Sequence, residues 1–172
     1  MKARARFLGH SIHQMLVVFP LGLLATAVIF DLVGIIGTTD GWWSISFWVM
    51  AAGILGALLA APFGFADWLA IPRGTRARRI GRYHGLGNAV VAVLFLSSWL
   101  LRTPNEAPPT LALALSFSGA ALALLTGWLG GELVARLGVG VADDASLNAP
   151  SSLRSRSTSV ASESMPTPHR VR

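Results

Sequence analysis

Two histidines and two oppositely charged residues stand at matching intervals in this sequence. His13 and Asp31 are separated by five full helical turns, about 18 residues at about 3.6 per turn, which puts them on one face about 27 Å apart. His84 and Arg102 repeat that interval. If the two helices run in the same direction with these faces apposed, His13 meets His84 at one end and Asp31 meets Arg102 at the other. The second pair reads as a salt bridge. Asp67 and Glu132, on the intervening helices, fall at about the depth of the histidines. Three kinds of chemistry follow. Imidazoles on separate helices at equal depth can ligate a haem b iron from its two sides, for electron transfer, with a carboxylate orienting an imidazole through its other nitrogen. In that reading His13 and His84 are the ligands, and His10, three residues before His13, is a substitute. Alternatively His13, His84, Asp67 and Glu132 hold a divalent metal, a mixed imidazole and carboxylate set that suits iron, manganese or zinc. In a third reading these four groups form one half of a proton or ion path, and Asp31 with Arg102 the other half. A cluster that only holds the protein together stands beside all three.

The elements that must carry these residues are transmembrane helices. Of 172 residues, 53% are hydrophobic and 13% charged, with mean hydropathy +0.58, too apolar for a water-soluble fold. Apolar runs predict an all-α bundle of four spans over about residues 13–36, 44–71, 84–102 and 111–136, a membrane domain over 1–142 and a disordered, cytoplasmic Ser/Thr/Pro-rich tail over 143–172, which includes His169. The first run follows Lys2, Arg4 and Arg6, and Ala25-Thr26-Ala27 resembles a signal-peptide cleavage site. That apolar stretch is too long for a signal, so the helix is expected to be retained. Arg73, Arg76, Arg78, Arg79 and Arg82 crowd the middle loop, whereas the loops at 38–43 and 103–109 hold acids and no Lys or Arg. By the positive-inside rule the middle loop and both termini are cytoplasmic, in a bacterial inner membrane, and the histidine layer lies at the cytoplasmic end. Trp42 and Trp43 fit the outer interfacial belt and Trp68 the inner one.

The net charge of +6 is explained by topology and lipid headgroups, and nucleic acid is not an expected partner. Membrane lipid is, together with a redox partner protein or a second copy of the chain. Zero cysteines exclude disulfides, thiolate clusters, Cys-type zinc and covalently attached haem. The sequence has no phosphate-binding Gly-x-x-x-x-Gly-Lys loop, no Gly-x-Ser-x-Gly elbow and no His-Glu-x-x-His helix, so enzymatic activity is not the expectation.

Ridges of small residues, Ala52, Gly56, Ala60 and Gly64 on the second helix and Gly119, Ala123, Gly127 and Gly131 on the fourth, allow close helix approach within the bundle or in a dimer. Pro62 is expected to kink the second helix. A histidine, a charged residue, a small-residue helix and an acidic residue occur in that order over 13–67 and again over 84–132. The order suggests a duplicated helical hairpin with a pseudo-twofold axis along the membrane normal.

Gly9-His10-Ser11-Ile12-His13-Gln14-Met15, followed by Phe19-Pro20-Leu21-Gly22-Leu23, resembles the opening of the domain of unknown function 2231 family of predicted bacterial membrane proteins. Gly64-Phe65-Ala66-Asp67-Trp68, the His84…Asn88 pair, Gly130-Gly131-Glu132-Leu133-Val134 and the closing Gly138-Val139-Gly140-Val141 resemble its later blocks, from about Gly9 to Val141. Relatives in which such a domain accompanies a Rieske iron–sulfur module imply, by association, a place in electron transfer.

Overall fold

A computed structural model of the chain describes residues 3–37 and 41–153. The segment 38–40 and residues 154–172, which hold most of the expected tail and His169, lie outside the described residues. The order is a short antiparallel hairpin, β1 (Arg6–Phe7) and β2 (His10–Ser11), then α1 (Ile12–Leu16), α2 (Val18–Ile36), α3 (Gly41–Ala70), α4 (Arg76–Leu100), α5 (Thr110–Gly131) and a π-helical turn over Glu132–Arg136. Four stretches are long and apolar enough to cross a membrane: Ile12–Ile36, Gly41–Ala70, Arg76–Leu100 and Thr110–Arg136.

Local chemistry explains the boundaries. Pro20 has no N–H to offer the Leu16 carbonyl, and the first span is broken between α1 and α2 at Val17. The third span begins well before its apolar run because the Thr75 hydroxyl caps α4 by accepting from Arg78 N at 3.1 Å. Arginine is also a good helix former, so Arg76, Arg78, Arg79 and Arg82 extend the helix beyond its apolar part. α3 continues through Pro62 to Ala70. The π-turn widens the end of the last span, and the Leu137 amide reaches back to the Glu132 carbonyl at 3.2 Å.

The surface is apolar, as lipid contact demands: Ile36 is 83% exposed and Leu124 79%. The core is a plug of Leu24, Ala27, Met50, Ile54, Val91 and Phe95. The hairpins α2–α3 and α4–α5 each pack extensively within themselves and meet along α3–α4 and α2–α5. The first and third spans therefore lie diagonally across the bundle.

Burial reveals the duplication. α2 buries Pro20, Leu24, Ala27 and Asp31, and at one constant offset of 71 positions α4 buries Val91, Phe95 and Ser98, with buried Arg102 just past its end. α3 buries Ser46, Met50, Gly53 and Ala60; α5, at a second constant offset, buries Ala112, Ser116, Gly119 and Thr126. Packing follows the same register. A Cβ on Gly53 would sit 2.7 Å from the Leu24 side chain, and one on Gly119 would sit 2.9 Å from the ring of Phe95, the counterpart of Leu24. Ser46 donates to the Ala27 carbonyl at 3.1 Å, and Ser98, the counterpart of Ala27, donates to the carbonyl of Ala112, the counterpart of Ser46, at 2.7 Å. One helix-to-helix bond is thus made twice with donor and acceptor exchanged.

Candidate functional site

Two polar layers sit at the ends of the apolar plug. The first is closed. Arg102 grips Asp31 with two hydrogen bonds, Nη1 to Oδ1 at 2.6 Å and Nη2 to Oδ2 at 2.7 Å. The two side chains are 1% and 0% exposed. Ser46 shares its one hydroxyl proton between Asp31 Oδ1, at 2.5 Å, and the Ala27 carbonyl, and Ser116 donates to Oδ2 at 3.1 Å. Arg102 also donates to the hydroxyls of Ser98 and Ser116, each at 3.1 Å from Nη2. One residue or more from each of α2, α3, α4 and α5 is involved. A buried ion pair is stabilising only when its remaining lone pairs and protons are satisfied, and the three serines supply that.

The second layer holds the histidines. His13 Nδ1–H donates to the Ala60 carbonyl at 3.1 Å, and His84 Nδ1–H donates to the Thr126 carbonyl at 2.9 Å. Ala60 and Thr126 are counterparts under the duplication. Four residues on, Gly64 and Gly130 admit the rings: a Cβ would lie 2.7 Å from His13 Cε1 and 2.9 Å from His84 Cε1. A carbonyl oxygen only accepts, so both neutral rings carry their proton on Nδ1, which leaves Nε2 as an acceptor; at His84 the Asn88 amide Nδ2 lies 3.4 Å from it. The copies differ in one respect. Asn88 donates to the His84 carbonyl at 2.8 Å and accepts from the Thr126 hydroxyl at 3.2 Å, whereas Val17 and Ala60 occupy the counterpart positions.

The remaining candidates are placed otherwise. Asp67 is 8% exposed, and its oxygens accept from the amides of Arg4 at 2.7 Å and Ala5 at 3.1 Å and from the Ser11 hydroxyl at 3.2 Å. It therefore anchors the N-terminal hairpin. Glu132 pairs with Arg76 at 2.7 Å, with side chains 15% and 52% exposed respectively. Backbone carbonyls, not these carboxylates, orient the imidazoles. The acidic residue expected to close each repeat does not recur either, because the counterpart of Asp67 is the buried Leu133 and Glu132 lies one position off that register. His10 is exposed on β2 with its Nδ1 3.2 Å from the Leu8 carbonyl; it precedes the helix, so helical spacing does not carry it to His13. Among the described residues no three His, Cys, Asp or Glu side chains gather as a metal-holding group.

Sequence reasoning places Ser98 near the stripe between His84 and Arg102 but gives no part to Ser46 and Ser116, since serines are common in membrane helices and carry no charge. The signal available was Ser46, Ser98 and Ser116 within a few turns of two buried charges. It also treated Arg78 as one more loop charge. Arg78 Nη1 in fact donates to the carbonyls of Trp68, Leu69 and Ile71 at 2.7, 2.9 and 2.9 Å, and its guanidinium lies 4.0 Å from the Trp68 ring centroid. Trp68 Nε1 donates back to the Arg78 carbonyl at 3.1 Å.

The profile of a family described as predicted membrane protein, domain of unknown function 2231, matches residues 9–143. That interval contains both polar layers and all four spans. No curated protein and no solved structure matches the chain.

Proposed function

We propose that this chain, which belongs to the domain of unknown function 2231 family of predicted membrane proteins, is an electron-transfer protein whose His13 and His84 hold a haem b through Nε2. The observation that carries the reading is the repeated orientation: each Nδ1–H is committed to a backbone carbonyl of the neighbouring helix. Ligating histidines are held in this way, the outer hydrogen bond fixing both the tautomer and the ring plane. The donor set fits haem b, which needs two neutral imidazoles and no cysteine. Bound there, the haem supplies one-electron chemistry; the chain supplies orientation, and its apolar surroundings set the dielectric around the group. The arginine-rich end, in this reading, faces the cytoplasm of a bacterium.

A structural role for the same layer is the second reading, favoured by the fact that each imidazole already has a hydrogen-bond partner. An ion path is weaker, since the plug of Leu24, Met50, Ile54, Val91 and Phe95 separates the layers. Visible spectroscopy of protein purified in detergent from haem-replete cells decides among these. The expected result is a Soret band that is lost in His13→Ala and in His84→Ala. Folded protein with no such band, or a band that survives both substitutions, overturns the haem reading. Stoichiometric iron, manganese or zinc without the band moves the site to a bare metal ion.

A further inference from the structure

The N-terminal hairpin has a surface that neither polar layer uses. Its two-residue turn is Leu8-Gly9, with φ of 47° at Leu8 and 90° at Gly9. Turns of this kind favour Asn-Gly, because both central residues take left-handed backbone that disfavours a branched apolar side chain. Leucine in that position is unfavourable for the turn itself and leaves its side chain 59% exposed, next to Phe7 at 58%. Such an outlier points to a use outside the hairpin. The hairpin is also rigidly placed. Asp67 fixes its base, Ile12 N donates to the Ala5 carbonyl at 3.1 Å, and Arg6 Nε donates across the turn to the Gly9 carbonyl at 3.0 Å. Since Asp67 lies in the last turn of α3, which ends at Ala70, and the first span starts at Ile12, the hairpin stands at the level where the apolar spans end. Exposed Arg4 and Arg6 flank the apolar tip. Ser152 approaches Gly9, and Ser151, Ser152 and Leu153 line an open groove with Phe7 and Leu8, which nevertheless keep more than half of their surface exposed.

We propose that the Arg6–Ser11 hairpin is an interfacial membrane anchor, with Phe7 and Leu8 inserted among lipid chains at the arginine-rich face and Arg4 and Arg6 on the phosphates of anionic lipids. An apolar tip flanked by cations at the bilayer boundary has the chemistry of such anchors, which gain from both apolar burial and headgroup attraction.

The chain contains no cysteine, so single-cysteine variants of the full chain can be labelled cleanly. Leu8→Cys, and separately Phe7→Cys, would carry an environment-sensitive fluorophore in nanodiscs of phosphatidylcholine with or without phosphatidylglycerol, and brominated acyl chains would serve as quenchers. Both labels are expected to shift to the blue and to lose emission to the brominated lipid, more strongly with phosphatidylglycerol, while a label at the exposed Ser146 does neither. Arg4→Gln with Arg6→Gln is expected to abolish the difference between the two lipid compositions. Labels unquenched in both compositions overturn the proposal. So does protection that is equally strong in lipid-free detergent, which would mark a second copy or the chain's own residues 154–172 as the cover.

Discussion

At one end of the bundle the duplicated positions hold Asp31 and Arg102; at the other they hold two histidines. The first pair has diverged into complementary charges and closes on itself, satisfied by each other and by three serines. The second pair is chemically identical, and identical groups do not complete one another. With both Nδ1 protons given to backbone carbonyls, each ring presents Nε2 as an acceptor, and two acceptors cannot hydrogen-bond together; His84 Nε2 has the Asn88 amide at 3.4 Å. Divergence at symmetry-related positions produced a lock, while identity at the matching positions left two groups that do not pair with each other. The contrast is why the histidine end, and not the more conspicuous buried ion pair, is the candidate site.

The largest expected effect breaks the lock. Arg102→Ala leaves Asp31 buried and unpaired, and unfolding in detergent, followed by denaturant titration, should show a loss of about 3–5 kcal/mol. Because the two positions are counterparts, the exchanged pair Asp31→Arg with Arg102→Asp should be more stable than either single substitution. If the exchange is no better than the singles, the serines impose a polarity that the backbone symmetry does not share. Next come the ring seats. Gly64→Ala and Gly130→Ala each push a methyl into an imidazole, at about 1–3 kcal/mol. Similar costs in the two hairpins would support equivalent histidines. The copies differ at Asn88, and Asn88→Val, which installs the residue found at the counterpart position, should cost about 1 kcal/mol through its lost hydrogen bonds. A much larger loss would mean that the two histidines are held differently. The smallest effect is expected at the rim: the pair Arg76–Glu132 is part-exposed, and Arg76→Gln should change stability by less than about 1 kcal/mol.

The spans were legible because apolar length is written into the sequence, and Asp31 and Arg102 were legible because their interval from the histidines is a whole number of helical turns. The π-turn after Gly131 was not, since it depends on how the chain leaves the bundle. The hairpin was missed because four strand residues among arginines give no usable periodicity, and with it the role of Asp67. A carboxylate in a span reads as a candidate ligand until the backbone amides that reach it are known. The duplication was legible in outline only. Its register lies in which residues are buried, and chemically unlike residues, Leu24 with Phe95 or Asp67 with Leu133, fill equivalent places.

Arg78 joins the two hairpins in a manner that charge counting does not convey. One nitrogen, Nη1, reaches three carbonyls where α3 ends, those of Trp68, Leu69 and Ile71, the first of which also accepts from the Ile71 amide, while the flat face of the guanidinium rests on Trp68. A lysine would deliver the same charge to the membrane surface without the flat face that rests on the indole. The positive charge that helps decide which way a nascent chain inserts and the shape that seals the finished corner are therefore separable properties of a single side chain.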